Sequence, residues 1–301
     1  MANGFKKQST KTARRVAVSY SYLAPTLVLM LIFLVVPIVM VIGYTFFDNV
    51  IVNKNPVFVG IKNYVSVLSD KSFWPAVGHT LYFVIISLIA HLLIGMVFAL
   101  ILNTRYLNYK TKALFRVLFA LPWMFTASVI AIVWRMMMDP SGVLNYFLLT
   151  FHLADSKVLF LASRDLALFS VTLINIWSGY PFYMISILAG LQGVSTDLYE
   201  AAALDGANAP RTFFYITLPT IKPILVSLMM LDFIWTLQQF ALIWMTTGGG
   251  PVNASEMVST YIYKYAFTKY EYSMASTAAV ILLIACTIIG IFYVRHQRSE
   301  A

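Results

Sequence analysis

Six predominantly apolar stretches, each close to bilayer-crossing length, recur along this chain, and they decide its fold class before any motif is considered. A helix needs about 20 such residues to cross the hydrocarbon core, because in lipid its backbone polar groups must be satisfied within the segment. The windows fall near Tyr22–Phe46, Thr80–Leu102, Val117–Met137, Leu166–Ala189, Ile224–Trp244 and Tyr272–Val294. The third is the shortest, bracketed by Arg116 and Arg135, and the fifth carries an acid, Asp232. With 60% of 301 residues hydrophobic and 11% charged, an ordinary soluble domain is excluded. The expected fold is therefore an all-α integral membrane protein of six transmembrane helices. A basic head precedes an apolar run from Val16 to Phe47, longer than a signal-peptide core and without a small-residue cleavage site, so the first span is expected to stay uncleaved.

The net charge of +9 would suggest nucleic acid in a soluble protein, but here the basic residues flank apolar runs, where they orient spans, and no nucleic-acid partner is expected. Six spans put both termini on one side. That side collects thirteen basic residues: Lys6, Lys7, Lys11, Arg14 and Arg15 at the N-terminus; Arg105, Lys110, Lys112 and Arg116 between the second and third spans; Arg211 and Lys222; Arg295 and Arg298. The opposite side has eight, against seven acids. By the positive-inside rule both termini are cytoplasmic. The chain then divides into a cytoplasmic tail (1–19), a six-span transmembrane domain (20–294, with a polar loop at 194–223) and a second cytoplasmic tail (295–301). The outer connections, among them Phe73-Trp74-Pro75 and Thr246-Thr-Gly-Gly-Gly-Pro251, read equally as a docking face or as solvated loops.

Several chemistries find no support. No glycine is followed by lysine, so there is no Gly-Lys-Ser/Thr phosphate loop, and any nucleotide energy must come from a partner. His79, His91, His152 and His296 are scattered without metal-ligand spacing, and His91, inside a span, is expected to hydrogen-bond a neighbouring helix. Cys286 is the single cysteine and sits in an apolar run. No nucleophile occurs in a recognisable catalytic setting, and neither an enzyme nor a bound metal is expected.

The polar loop from Val194 to Pro223 reads as two short helices joined by a turn. Ser195 or Thr196 caps the first, with Asp197 and Glu200 in its first turn; Gly206 ends it; Pro210 opens the second; Pro219 and Pro223 are expected to close it before the fifth span. Leu198, Ala201 and Ala202 form a small-residue face beside Glu200 and Asp205. Glu200-Ala201-Ala202, Gly206 after three intervening residues and Ile216-Thr217-Leu218-Pro219 after nine more together resemble the EAA signature of binding-protein-dependent ABC importer permeases. The wider Leu198-to-Ala207 pattern is similar to the carbohydrate branch of that family, and Phe240-to-Pro251 is similar to the first, maltose-type, of the two permease subunits. Phe58-Val-Gly-Ile-Lys-Asn-Tyr64, Leu121-Pro-Trp123, Asn175-Ile-Trp-Ser-Gly-Tyr-Pro181 and Phe240-to-Pro251 extend the likeness over nearly the whole chain. The chain lacks the extra N-terminal spans and large periplasmic insertion of the enteric maltose permease, and resembles the compact six-span members.

The resemblance implies a type I ABC importer fold in a bacterial or archaeal cytoplasmic (inner) membrane. It implies a heterodimer with a second permease subunit, a dimer of cytoplasmic ATPases that bind ATP and Mg, an extracytoplasmic solute-binding protein and a sugar-like solute. Glu200, Ala201, Ala202, Asp205, Gly206, Ile216, Leu218 and Pro219 would form the ATPase-coupling loop. The solute-contact positions it implies are Trp123 and Ala127; Asn175, Ser178, Gly179 and Phe182; and Trp235, Thr236 and Gln239. Polar residues inside spans give a second route to such a site, since Asn175, Ser178, Asp232, Thr236, Gln238 and Gln239 are costly in lipid unless they face a cavity or a partner helix. Trp123, Trp177, Phe182 and Trp235 offer aromatic faces of the kind that cover a sugar ring. Offsets of 3, 4 and 7 place Asp232, Trp235, Thr236 and Gln239 on one helical face. Asp232 would accept sugar hydroxyls, pair with a base from another subunit, or stay protonated. Two further classes remain at this point: a secondary transporter driven by an ion gradient, with Asp232 titrating, and a scaffold whose polar residues only join helices.

Overall fold

A computed structural model of the chain describes residues 20–104 and 106–300; the N-terminal tail (1–19) and Arg105, both used in the charge comparison, lie outside them. Among the described residues the structure is helical, and the one extended pairing is an isolated bridge between Phe47 and Phe58. The chain forms two compact units, one running up to Val67 and joined by Tyr265–Ile281, the other Leu68–Lys264 with Leu282–Ala301.

In the first unit, helix α1 (Tyr20–Tyr44) is apolar throughout, and no residue in its most apolar window is buried. A tight turn follows it. Asn63, on α2 (Lys62–Leu68), donates to the carbonyls of Thr45 and Phe47 at 2.9 and 2.8 Å, and Asp48 accepts from the Val57 backbone at 2.6 Å. The first of these bonds gives the Thr45 carbonyl, at the C-terminal end of α1, a partner that the helix cannot supply.

The second unit is organised on two long helices, α3 (Phe73–Asn103) and α7 (Ala167–Gln192), which pack along their length. The buried residues of α3 include Thr80, Phe83, Ser87, His91, Gly95, Ala99 and Leu102, a stripe at three- and four-residue spacing. The middle of the stripe, Ser87, His91, Gly95 and Ala99, is small or polar while the exposed faces carry Leu, Ile and Val, the reverse of a soluble amphipathic helix. Lipid is as apolar as leucine, so helices in it associate through close packing and hydrogen bonds. Gly95 shows the consequence: a Cβ there would stand 2.4 Å from the Tyr183 Cβ and 2.9 Å from the Met184 nitrogen, so only glycine fits this crossing.

Between the two long helices the third window does not form the continuous span the sequence predicts. Helix α4 (Tyr109–Met124) and helix α5 (Ala127–Met137) meet at 95°. Pro122, inside the last turn of α4, removes a backbone donor, Phe125 and Thr126 are extended, and the Thr126 hydroxyl accepts from the Val129 N–H at 3.4 Å to start a new helix. Counting this bent pair once, six elements are long and apolar enough to span a membrane, as expected. Helix α6 (Val143–Thr150) follows α5.

The loop after α7 contains α8 (Thr196–Leu204) and leads into α9 (Ala209–Leu237). Here Pro219 and Pro223 do not close a separate helix as predicted. The chain makes one π-helical turn, Phe213–Thr217, and continues helically through both prolines. In that turn the Leu218 N–H reaches the Phe213 carbonyl, so the wider turn sits immediately before Pro219 and takes up the register that the missing proline donor leaves open. The fifth span also stops earlier than expected, at Leu237. Gln238, Gln239 and Phe240 form a break before the short helix α10 (Ala241–Thr246), and α11 (Val258–Tyr263) follows. Helix α12 (Tyr272–Glu300) runs through Arg295, so the predicted C-terminal tail continues the sixth helix.

Candidate functional site

The 95° break in the third span and the helix end at Leu237 leave room beside α7, and a cavity of about 210 Å³ occupies it. All ten residues singled out for solute contact line it: Trp123, Ala127, Asn175, Ser178, Gly179, Phe182, Asp232, Trp235, Thr236 and Gln239. Gln239 does so from the break after α9, not from the helical face it was expected to share with Asp232. Gln238 and Trp177 do not line the cavity. Gln238 is exposed, and Trp177 packs edge-on against Trp134 at 5.5 Å in the apolar cluster around Ile130 and Ile174. The remaining wall residues, His91, Phe125, Ile130 and Leu242, were not singled out.

One side of the cavity is aromatic. The Phe182 ring lies 5.8 Å from Trp123 and 5.3 Å from Trp235, a run of three rings contributed by α4, α7 and α9. Both tryptophans are about half exposed, so their faces are open to whatever fills the space.

The wall also carries a buried polar network centred on Asp232. Its Oδ2 lies 2.8 Å from His91 Nδ1, and its Oδ1 accepts from the Thr236 hydroxyl at 2.8 Å. His91 Nε2 lies 3.0 Å from the Asn175 carbonyl, and the Asn175 amide donates to Ser87 Oγ at 3.0 Å. Asp232 therefore finds its base within its own chain, on the second span, as the expensive placement of a carboxylate in a span requires. His91 hydrogen-bonds two neighbouring helices, as expected. A Cβ on Gly179 would stand 2.3 Å from His91 Nε2, so this glycine is what lets the imidazole reach the Asn175 carbonyl. The buried Tyr183 hydroxyl stands near Asp232 without a well-formed hydrogen bond, and its ring lies 5.9 Å from that of His91.

The signal that would have completed the site is the pairing of two costly residues. A lone histidine in the second span and a lone carboxylate in the fifth each need a partner, and each is the other's.

The loop between the fourth and fifth spans is a second functional candidate. The Ser195 hydroxyl caps α8, accepting from Asp197 N–H at 3.3 Å. At its other end Ala207 N–H reaches the Ala202 carbonyl at 2.9 Å and Gly206 N–H the Ala203 carbonyl at 3.1 Å, the paired bonds of a Schellman turn. Gly206 has φ +74°, and nothing stands within 4 Å of where its Cβ would be, so the requirement is conformational, not steric. Asn208 caps the next helix by accepting from Arg211 N–H at 3.0 Å, with Pro210 in the first turn. Tyr199 and Thr217 join the two arms at 3.2 Å.

Ala202 is buried against the protein, so of the predicted small-residue face only Leu198 and Ala201 point outward. Glu200, Asp205 and Pro219 are exposed, and Ile216 and Leu218 are half-buried. Large apolar side chains, Leu204, Phe214 and Tyr215, stand exposed beside them.

Residues 91–299, which carry both features, match the family described as the binding-protein-dependent transport system inner membrane component. The chain belongs to that family. It is a multi-pass membrane component of a transport system and not an enzyme. It is 31% identical over 286 residues to the trehalose/maltose transport system permease protein MalF of Thermococcus litoralis, with 95% of each chain covered. It is 29% identical over 280 residues to the sulfoquinovosyl glycerol transport system permease protein SmoG of Agrobacterium fabrum, covering 92% of this chain and 89% of that one. Among solved structures it resembles a chain of a bacterial ABC transporter involved in the import of the acidic polysaccharide alginate. That match has a TM-score of 0.78 at 24% identity, over 96% of this chain and 98% of the other. The fold is thus that of type I ABC importer permeases, and the family assignment disfavours a secondary transporter.

Proposed function

We propose that this chain is a permease subunit of an ATP-driven importer for a carbohydrate or related polyol, and that the cavity at the break of the third span is its half of the solute path. The observation that carries this reading is the composition of the cavity. Three aromatic rings line it together with amide, hydroxyl and carboxyl groups, the combination suited to a sugar ring with apolar faces and a polar rim. The trehalose/maltose and sulfoquinovosyl glycerol transport named for the relatives supports the same solute class.

In this reading the Val194–Pro223 loop is the contact for a cytoplasmic ATPase dimer, which binds ATP and Mg outside this chain. Glu200, Ala201, Asp205, Gly206 and Pro219 meet that partner, while Ala202, Ile216 and Leu218 hold the loop to the helices behind it. The exposed Leu204, Phe214 and Tyr215 support a docking role, since free apolar side chains of this size favour coverage. From Phe182 on the cavity wall, α7 runs ten residues to Gln192 next to the loop, about 15 Å of uninterrupted helix. Such a rigid element can convert movement of the loop into reshaping of the cavity. A second permease subunit supplies the other half of the path, and an extracytoplasmic binding protein delivers the solute. The chain lies in the inner membrane with 1–19, 295–301 and the loop on the cytoplasmic side of the 20–294 domain.

Reconstituted uptake with co-purification of the ATPase tests both halves. Trp235→Ala and Gln239→Ala should impair uptake with the ATPase still bound. Gly206→Pro should abolish uptake with solute binding intact. Normal uptake in Gly206→Pro sinks the coupling role, and wild-type behaviour in the other two sinks the cavity.

A further inference from the structure

We infer that the cavity selects uncharged polyhydroxyl solutes and rejects their anionic counterparts, because the His91–Asp232 pair on its wall is held without net charge and offers an anion no free cation. This rests on the reading of the cavity as the solute site. Family membership leaves the charge of the solute open; the hydrogen bonds around His91 speak to it.

The Asn175 carbonyl can only accept, so the Nε2 of His91, 3.0 Å away, carries a hydrogen. Nδ1 and the Asp232 Oδ2 are 2.8 Å apart, and two bare acceptors do not approach so closely, so one proton lies between them. Whether that proton resides on the imidazole or on the carboxyl, the pair as a whole has no net charge. The second carboxyl oxygen is taken by the Thr236 hydroxyl at 2.8 Å. Asp232 and His91 are the only ionisable residues that line the cavity, and no lysine or arginine lines it among the described residues.

An anion entering this half of the path would lose its hydration and meet no free cation of this chain, the situation in which a buried charge is most costly. A neutral sugar loses only hydroxyl hydration, which Asn175, Ser178 and Gln239 can replace. His91 is thus a positioning residue for Asp232 and keeps the carboxylate from acting as a free charge.

The test uses the assembled transporter in nanodiscs and follows quenching of the two cavity tryptophans, with Trp123→Phe and Trp235→Phe assigning the signal. The probes are methyl α-D-glucopyranoside and its uronate, which differ only in a hydroxymethyl against a carboxylate, with maltose as a larger neutral probe. The expected result is saturable quenching by a neutral probe and at least ~10-fold weaker binding of the uronate. Equal binding of glucoside and uronate overturns the inference and leaves the sugar reading standing. Quenching by neither neutral probe overturns the sugar reading and the inference with it.

The double variant Asp232→Asn/His91→Gln keeps hydrogen-bonding groups in place without ionisable ones, and should retain the preference. Gain of uronate binding in that variant would show that Asp232 repels anions as a free carboxylate, and would overturn the neutral pair. The wild-type probe comparison decides the selectivity whether or not the variant assembles.

Discussion

The bonds that shape the turns of the Val194–Pro223 loop join residues at most five positions apart, as in Ser195 to Asp197, Gly206 to Ala203, Ala207 to Ala202 and Asn208 to Arg211. On the cavity wall the bonds between spans join residues 84, 88 and 141 positions apart, while the Thr236–Asp232 bond is local. The loop is therefore a local object, exposed and closed by its own caps. The wall exists only when three spans have already met. The difference teaches where each region is vulnerable. A substitution in the loop alters one turn and leaves the bundle standing, whereas a substitution in the wall leaves a polar group stranded in a low-dielectric interior.

The sharpest way to break this contrast is His91→Ala. It strands Asp232 without its partner in the centre of the unit, and breaking a buried pair in this way costs about 3–5 kcal/mol. The expected outcome is a large drop in the melting temperature of the purified transporter, and an unchanged melt would mean that the network does not hold the spans together. Thr236→Val removes the second hydrogen bond to the same carboxyl at nearly constant volume. A hydrogen bond to a charged group contributes about 1.5–3 kcal/mol, so its melt should fall between those of wild type and His91→Ala. If Thr236→Val destabilises as much as His91→Ala, the proton shared with the imidazole is not the dominant link.

The same contrast governs what could be read in advance. Most of the loop was legible, because Ser195, Gly206 and Pro210 act within a turn of where they stand; the Asn208 cap emerges only in the structure. Nine wall residues were in view through motifs and Asp232 through its cost in a span, and the structure brings these ten together. What escaped is what depends on distance or on lipid. His91 lies in a span whose remaining residues are generic, and its role appears only against Asp232, far along the chain. The kink at Phe125 and Thr126 was hidden by a hydropathy window that runs through it, although Pro122 and the capping Thr126 were in view. Pro219 and Pro223 were read as terminators by soluble-helix rules, but a π-turn lets the helix pass them. Phe125, Ile130 and Leu242 on the wall carry no distinguishing chemistry.

In the loop the effects should be smaller and confined to coupling. Gly206 sits at positive φ in open space, so Gly206→Val meets no clash but pays the left-handed penalty of about 1–2 kcal/mol, while asparagine tolerates that region. Uptake should fall in Gly206→Val and largely survive in Gly206→Asn, with the melting temperature near wild type in both. Equal loss in the two would point to a contact made by the glycine surface itself.

Asn208→Ala gives the smallest effect and the finest test of locality. It deletes the side chain that accepts from Arg211 N–H at 3.0 Å, and loss of such a cap typically costs about 1 kcal/mol of local helix stability. Because α9 continues from this cap through the π-turn to Leu237, the loss can be absorbed in two ways. If the turn at Phe213–Thr217 isolates the loop, amide hydrogen exchange should rise only over about the first turn of α9, and solute binding at Trp235 and Gln239 should not change. If α9 transmits end to end, protection should fall as far as Asp232 and the tryptophan signal should move with it. The first outcome keeps loop and wall as separate objects joined through α7; the second makes α9 the lever between them.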